Sequence, residues 1–196
     1  MLAEVTFRPP RIETPRLLLR GWEPSDAEEV FAYASDPEVA RYMSWPRHET
    51  IADAYSFLNM SVASNYQSGE LDYAITAQGA PERIIGGIGA FWKPKAHQVM
   101  ELGYVLARAH WGKGYVPEAA RALIARAFST TPVERIFASI FSENQRSRRA
   151  AEKMGMRFEG ELRSSLNLRG RRWDQACTAS SATSTKRRQA RPLAPG

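Results

Sequence analysis

Apolar residues follow two different patterns along this chain, and the changes from one pattern to the other predict the secondary structure. Short runs rich in β-branched, aromatic and leucine side chains predict strands, whereas apolar positions three and four residues apart predict amphipathic helices. Strands are expected at residues 16–20, 73–76, 84–91, 99–106, 133–141 and 158–166. Helices are expected from Pro24 to a break at Asp36-Pro37 and over residues 52–66, 117–128 and 144–154, with a short helix or loop at 39–45.

Turn residues separate these elements. Gln78-Gly79-Ala80-Pro81 predicts a hairpin turn, and Gly69 and Gly155 are placed to end helices. The glycines at 86, 87 and 89 lie inside an apolar run, which predicts a strand that another backbone approaches closely. Runs of strands with helices crossing between some of them indicate an α/β or α+β fold, a sheet covered by helices.

The segment from Trp111 to Ala120 is the strongest local signal for a binding site. Gly112 and Gly114 allow a tight turn after the strand at 99–106, and Pro117 suits the first turn of the following helix. Free N–H groups and the positive end of a helix dipole at such a turn suit a pyrophosphate. An ordinary connection between a strand and a helix is the alternative.

Several motifs occur in a specific order. They are E-T-P-R at residues 13–16, E-L-G-Y at 101–104, W-G-K-G-Y at 111–115, N-x-x-S at 144–147 and E-K-x-G-x-x-x-E-G at 152–160. In this combination the chain resembles the GNAT N-acetyltransferase superfamily, and within it the ribosomal-protein alanine N-acetyltransferases. The resemblance implies a central mixed, mostly antiparallel, twisted sheet of six to seven strands flanked by helices. It also implies transfer of an acetyl group from acetyl-CoA to a primary amine.

The resemblance also implies which residues hold acetyl-CoA. Backbone groups of the strand at 104–106 would hold the pantetheine arm and face the developing oxyanion, the turn at 111–116 would bind the pyrophosphate, and Asn144 would bond the pantetheine. The full set is Tyr104, Val105, Leu106, Arg108, Trp111, Gly112, Lys113, Gly114, Tyr115, Val116, Asn144 and Ser147. Pro117 removes one N–H donor from the anion site, where relatives often carry Thr.

Two residues are the candidates for proton transfer. Glu101 stands where relatives carry a catalytic base, and it could take a proton from the amine through water. Many relatives protonate the departing thiolate with a Tyr at the position of Ala151, so Ser147 is the remaining candidate here. The alternatives are that Glu101 is only a charge at the end of a strand and that Ser147 is only a solvated residue on a helix.

The acceptor amine is the least defined part of the prediction. An α-amine loses its proton far more easily than a lysine, which favours a protein N-terminus or a small-molecule amine such as an antibiotic or a polyamine. Tyr42 and Trp45 could form an apolar wall for the substrate. Arg169, Arg171 and Arg172 make the last predicted loop basic, which suits either acidic peptides or ordinary solvated surface. Two alternative functions stay open besides the enzyme: a coenzyme-A-binding module without catalysis, and a nucleic-acid-binding protein.

Composition adds few constraints. The net charge is +6, but Lys186, Arg187, Arg188 and Arg191 account for +4 of it, so no specific nucleic-acid partner is expected. The single Cys177 fits a reducing compartment, and three scattered histidines give no spacing typical of a metal site. Without a predicted membrane span or signal peptide we expect a cytoplasmic protein with no membrane partner; a homodimer stays open.

The end of the sequence departs from the family. Residues 1–175 are expected to form one acetyltransferase domain, and residues 176–196 a disordered basic tail. The stretch from Cys177 to Ser184 is small and polar where relatives have a last apolar strand, which suggests a frameshift near Ala176. A sheet without that strand would expose an apolar edge.

Overall fold

The computed structural model describes residues 9–182, with the side chains of residues 63–68 excepted. The strands are β1 (Ile12–Glu13), β2 (Leu17–Arg20), β3 (Leu71–Ala77), β4 (Ala80–Trp92), β5 (Val99–Leu106), β6 (Arg135–Phe141), β7 (Arg157–Leu168) and β8 (Arg171–Ser181). The α-helices are α1 (Ala27–Ala34), α2 (Pro37–Ala40), α3 (Ile51–Ser68), α4 (Tyr115–Thr130) and α5 (Gln145–Met154). Short 3-10 turns cover Pro24–Asp26, Lys95–His97 and Arg108–His110.

The strands form one sheet in the order β1-β2-β3-β4-β5-β6-β8-β7. β5 and β6 pair in parallel, which requires the crossover that α4 provides, and the neighbouring pairs β1–β2, β2–β3, β3–β4, β6–β8 and β7–β8 are antiparallel. The expected mixed, mostly antiparallel sheet flanked by helices is therefore confirmed. It has eight strands in place of six to seven, because the apolar pattern did not predict β1 and β8.

Several predicted helix ends are confirmed and others differ. Gly69 and Gly155 follow α3 and α5 in the left-handed region, with φ of 66° and 87°. α4 begins at Tyr115, two residues before the predicted start, and Pro117 still falls in the first turn, where an N–H has no acceptor within the helix. Asp36 does more than break a helix, since its carboxylate accepts the Glu38 N–H at 3.0 Å and caps α2.

The chain divides into two compact units. The first runs to Phe91 and resumes over Gly103–Leu123; the second comprises Trp92–Leu102 and the described chain from Ile124. In the first unit α1 and α3 bury their apolar faces together with strand residues, in a cluster that includes Trp22, Val30, Tyr33, Leu58 and Ile84. In the second unit the most buried residues include Met100, Ile136, Ala151 and Ala176.

The prediction that residues 176–196 form a disordered tail is wrong as far as Ser181. Instead of leaving β6 with an exposed apolar edge, this segment pairs with β6 along its length, from Gln175 opposite Phe141 to Ser181 opposite Arg135. Thr178 and Ala179 are buried, because strands on both sides hold their backbone and small side chains suffice to fill the space. Residues 183–196, the rest of the predicted tail, lie outside the described residues.

Candidate active site

The turn before α4 has the geometry that an anion site needs. Gly112 and Gly114 have φ of 79° and 78°, a region that other residues rarely adopt. A Cβ on Gly112 would meet nothing within 4 Å, so this side of the turn is open to a ligand. α4 begins directly after this turn, and the first N–H groups of a helix have no acceptor within the helix. The Trp111 N–H, which the sequence predicted as part of the anion site, instead donates to the Arg108 carbonyl at 3.1 Å.

Side chains that the sequence did not predict for the site brace this turn. Arg16 donates to the Lys113 carbonyl at 2.9 Å and to the Glu118 carboxylate at 2.7 Å, and its guanidinium lies 4.8 Å from the Tyr115 ring centre. The Thr14 hydroxyl donates to Glu118 at 2.7 Å. Burial opposes ionisation of Glu118, but the bonds from Thr14 and Arg16 prevail and lower its pKa. Thr14 and Arg16 belong to the motif E-T-P-R, which entered the sequence-based prediction only as part of the family resemblance.

The second half of β5 is placed by a close approach of two backbones. A Cβ on Gly86 of β4 would lie 2.3 Å from the Val105 carbonyl oxygen, so the predicted close approach is confirmed at this glycine. The Trp111 indole donates to the Leu106 carbonyl at 2.7 Å, which fixes the end of the strand against the turn. Trp111, Val105 and Trp45 all pack against the cluster around α1 and α3.

Arg108 is engaged in an ion pair. Its Nε lies 2.9 Å from the Asp36 carboxylate, although the side chain is 62% exposed. Both residues line a cavity of about 540 Å³ that Tyr33, Arg83 and His110 also border. Burial, followed by the charges of Lys113 and Arg83, lowers the pKa of His110, so this imidazole is neutral near pH 7. Lys113 itself is exposed at the turn.

Tyr42 and Trp45, the predicted substrate residues, lie in the loop after α2. The Arg41 guanidinium lies 5.2 Å from the Tyr42 ring centre, and the Trp45 and His48 rings are 5.3 Å apart. Trp45 shares the apolar cluster with Val105, so the first unit brings one predicted substrate residue and one predicted cofactor residue to the same core.

Asn144 and Ser147 come together in the second unit. Asn144 caps α5, and its side-chain oxygen accepts the Ser147 N–H at 3.1 Å. The amide nitrogen of Asn144 keeps its donors for other groups. Ala151 is fully buried, so a Tyr at this position would require repacking. The Ser142 hydroxyl, which the sequence analysis did not single out, is buried and has no partner among the described residues.

Glu101 forms an ion pair with Lys93 in the second unit. Its side chain is 28% exposed, so the carboxylate is reachable by water. Lys93 would have to share or leave this carboxylate for Glu101 to take up a proton. The sequence did not predict this pair, because Lys93 directly follows β4 and the intervening loop separates it from Glu101 on β5.

The basic loop between the last two strands, for which the sequence left acidic peptides and ordinary solvated surface open, is the turn of the β7–β8 hairpin. Arg169 and Gly170 both have positive φ, 54° and 71°, as a two-residue hairpin turn requires. Arg171 is paired with Glu143, and Arg172 donates to the Ser164 carbonyl at 3.3 Å, so both of these charges are engaged within the protein.

The described residues hold neither a metal-ligand cluster nor a membrane-spanning helix. Between residues 9 and 182 no three His, Cys, Asp or Glu side chains are grouped so that they could hold a metal ion. In the same part of the chain no helix is long and apolar enough to span a membrane.

Comparison with known proteins supplies the family. The model of the acetyltransferase (GNAT) domain matches residues 16–157. YoaA of Bacillus subtilis (strain 168), named as an uncharacterized N-acetyltransferase, is 33% identical over 165 residues, which cover 84% of this chain and 93% of YoaA.

Solved structures agree with this match. A GNAT-family acetyltransferase from Bacillus anthracis superposes with a TM-score of 0.80 at 29% identity, covering 89% of this chain and 99% of that one. RimL, a ribosomal L7/L12 α-N-protein acetyltransferase solved with coenzyme A, shares the fold at 16% identity, with a TM-score of 0.79 over 89% of this chain and 99% of its own. GNAT acetyltransferases use acetyl-CoA, and by both its sequence and its fold this chain belongs to the GNAT acetyltransferase family.

Proposed function

We propose that this chain transfers the acetyl group of acetyl-CoA to the α-amine of a protein N-terminus. The observation that carries the proposal is the turn before α4, with two left-handed glycines and open space at Gly112. Family membership supports the reaction class, and RimL, which acts on a protein α-amine, shares the fold. The single cysteine is compatible with a reducing cytoplasm, where we place the enzyme.

For the cofactor, we propose that the turn from Trp111 to Val116 binds the pyrophosphate, with the Lys113 ammonium close by. Arg108 would contribute only by sharing its charge with Asp36. Backbone groups from Tyr104 to Leu106 and the Asn144 amide would hold the pantetheine. The proposed catalytic domain extends beyond residue 175, since β8 continues to Ser181.

For the chemistry, the amine must be neutral, and an α-amine with a pKa of about 8 meets this condition more readily than a lysine at about 10.4. We assign Glu101, through a water molecule, the proton that the amine loses as its nitrogen attacks the thioester carbonyl. Collapse of the tetrahedral intermediate breaks the carbon–sulfur bond, and the Ser147 hydroxyl gives its proton to the departing thiolate. The Ser147 oxygen is then reprotonated from solvent and Glu101 releases its proton to solvent, so the products are an amide and a thiol and both residues are restored.

Ser147→Ala tests the assignment. We expect kcat to fall by about tenfold or more with little change in acetyl-CoA affinity, because a proton donor to the thiolate acts mainly in the transition state. Ser129→Ala, which removes an exposed hydroxyl from the end of α4, is the matched control and should leave kcat unchanged.

The assay uses acetyl-CoA with peptides bearing a free N-terminus, peptides with a free lysine only, polyamines and aminoglycosides. Turnover confined to small amines would assign the chain to the small-molecule acetyltransferases instead. Binding of acetyl-CoA without turnover of any amine would favour a non-catalytic acyl-CoA-binding module. An unchanged kcat in the Ser147 variant would remove this residue from the mechanism.

A further inference from the structure

Between Leu166 and Trp173, β7 and β8 pair only with each other and form a two-stranded ribbon. In this ribbon Leu166 pairs with Trp173 and Leu168 with Arg171, on either side of Asn167 paired with Arg172. Side chains alternate between faces along a strand, so Trp173 and Arg171 share one face and Arg172 belongs to the other. The two arginines therefore have different surroundings although they are adjacent in sequence.

The face with Trp173 is fixed to the end of β6. The Trp173 and Phe141 rings meet edge to face with centres 5.2 Å apart, and the Trp173 indole donates to the Leu168 carbonyl at 3.2 Å. The Arg171 guanidinium lies 3.9 Å from the Trp173 ring centre and pairs with Glu143. We call Phe141, Glu143, Arg171 and Trp173 the ribbon anchor.

The ribbon anchor is adjacent in sequence to the proposed catalytic residues of α5. Glu143 directly precedes Asn144, the cap of α5, whose side-chain oxygen holds the Ser147 N–H. The backbone is fixed at the same place, since the Ser142 N–H donates to the Asp174 carbonyl at 3.0 Å. Arg171 thus restrains the residue next to the cap that orients Ser147.

We propose that Arg171 is a positioning residue for acetyl transfer, acting through Glu143 and the α5 cap on Ser147. This inference rests on the role proposed above for Ser147. An effect of this pair on turnover can be distinguished from an effect on folding stability. The Arg171 and Glu143 side chains are 57% and 48% exposed, and so exposed an ion pair adds little to the free energy of unfolding. Loss of the pair should therefore cost turnover without costing the fold.

The test compares Arg171→Gln with Arg172→Gln, which removes the same charge from the other face of the ribbon. We expect Arg171→Gln to lower kcat about fivefold or more at saturating acetyl-CoA and amine, while Tm changes by less than about 2 °C. Arg172→Gln should leave kcat within about twofold of the parent. Combined with Ser147→Ala, the Arg171 change should add no further loss, because it acts through that hydroxyl.

Hydrogen exchange gives a readout that does not depend on activity. The Ser147 amide should exchange about tenfold faster in Arg171→Gln than in the parent, and at the parent rate in Arg172→Gln. An equal loss of kcat in both arginine variants, or a loss that persists in the Ser147→Ala background, would overturn the inference. If no amine is turned over, the proposed function fails, and exchange at Ser147 decides the inference alone: an unchanged rate refutes it.

Discussion

Gly114 is the residue whose replacement should act most directly on the cofactor. Its φ of 78° excludes most side chains, and a Cβ there would lie 3.5 Å from the Arg16 guanidinium. Gly114→Asp adds bulk and a negative charge beside the proposed pyrophosphate site, so we expect acetyl-CoA affinity to fall about a hundredfold or more.

The measurement is the rise in Tm with added acetyl-CoA, together with titration calorimetry. Gly170→Asp is the matched control, since Gly170 has a similar φ of 71° in the hairpin turn and nothing within 4 Å of a Cβ. It separates the cost of backbone strain from the loss of a binding site. Equal acetyl-CoA affinity in the Gly114 variant and the parent would show that the anion site is placed wrongly.

Asp72 should make stability depend on pH. It is buried on β3, and burial raises its pKa to about 6, against the opposing effect of a hydrogen bond from Ser61. The unfolded carboxyl titrates near 3.8, so the folded chain holds this proton more tightly between the two values. The stability that this proton provides is therefore present below about pH 4, falls as pH rises from about 4 to about 6, and is lost above pH 6, where the folded state must carry a buried charge.

Asp72→Asn keeps the shape and removes the charge. We therefore expect the variant to be more stable than the parent at pH 7.5, by about 2 kcal/mol, and this difference to shrink as pH falls toward 4. Urea unfolding of both proteins at pH 7.5, 6.0 and 4.5 measures it, and the difference between them cancels other titrations. A difference that does not vary with pH would mean that Asp72 is charged in both states.

At the scale of elements, the close approach of β4 to β5 depends on one missing side chain. A Cβ at Gly86 would lie 2.3 Å from the Val105 carbonyl oxygen and 2.9 Å from the Leu106 Cα, and backbone atoms cannot move aside cheaply. Gly86→Ala should lower the free energy of unfolding by about 1–3 kcal/mol, although alanine normally suits a strand better than glycine.

Gly160→Ala on β7 is the control, because a Cβ there meets nothing within 4 Å. We expect it to change the free energy of unfolding by less than about 0.5 kcal/mol in the same urea titration. A Gly86 variant as stable as the Gly160 variant would contradict the geometry described for the two strands.

The elements also mark what sequence patterns can predict. Short apolar runs identified β3, β4 and β7, with ends that differ from the observed ones by one to four residues. The apolar pattern did not predict β8. Its small side chains at Ala176, Thr178 and Ala179 are buried because β8 lies between two paired strands, and their sequence contains no large apolar residue. The ion pairs of Arg108 with Asp36 and of Arg171 with Glu143 were equally out of reach, since they join distant residues that only the fold brings together.

At the scale of the whole molecule, the second unit depends on β8 because this strand lies between β6 and β7. A chain that ends after Gln175 would lose the partner of Arg135 through Ile140 on β6 and the partner of β7 from Arg157 to Glu161. Both strands would then expose unpaired backbone groups, which favours aggregation. A chain that ends after Ala182 keeps every contact described above.

We expect the shorter chain to lose cooperative thermal unfolding and to elute as aggregates in size-exclusion chromatography. The chain ending after Ala182 should unfold cooperatively within about 3 °C of the parent, since none of the described pairing is removed. Circular dichroism and chromatography at matched concentration measure both variants. A monomeric, cooperatively folding chain that ends after Gln175 would show that β8 contributes little to the second unit, and that residues 1–175 form one domain without it.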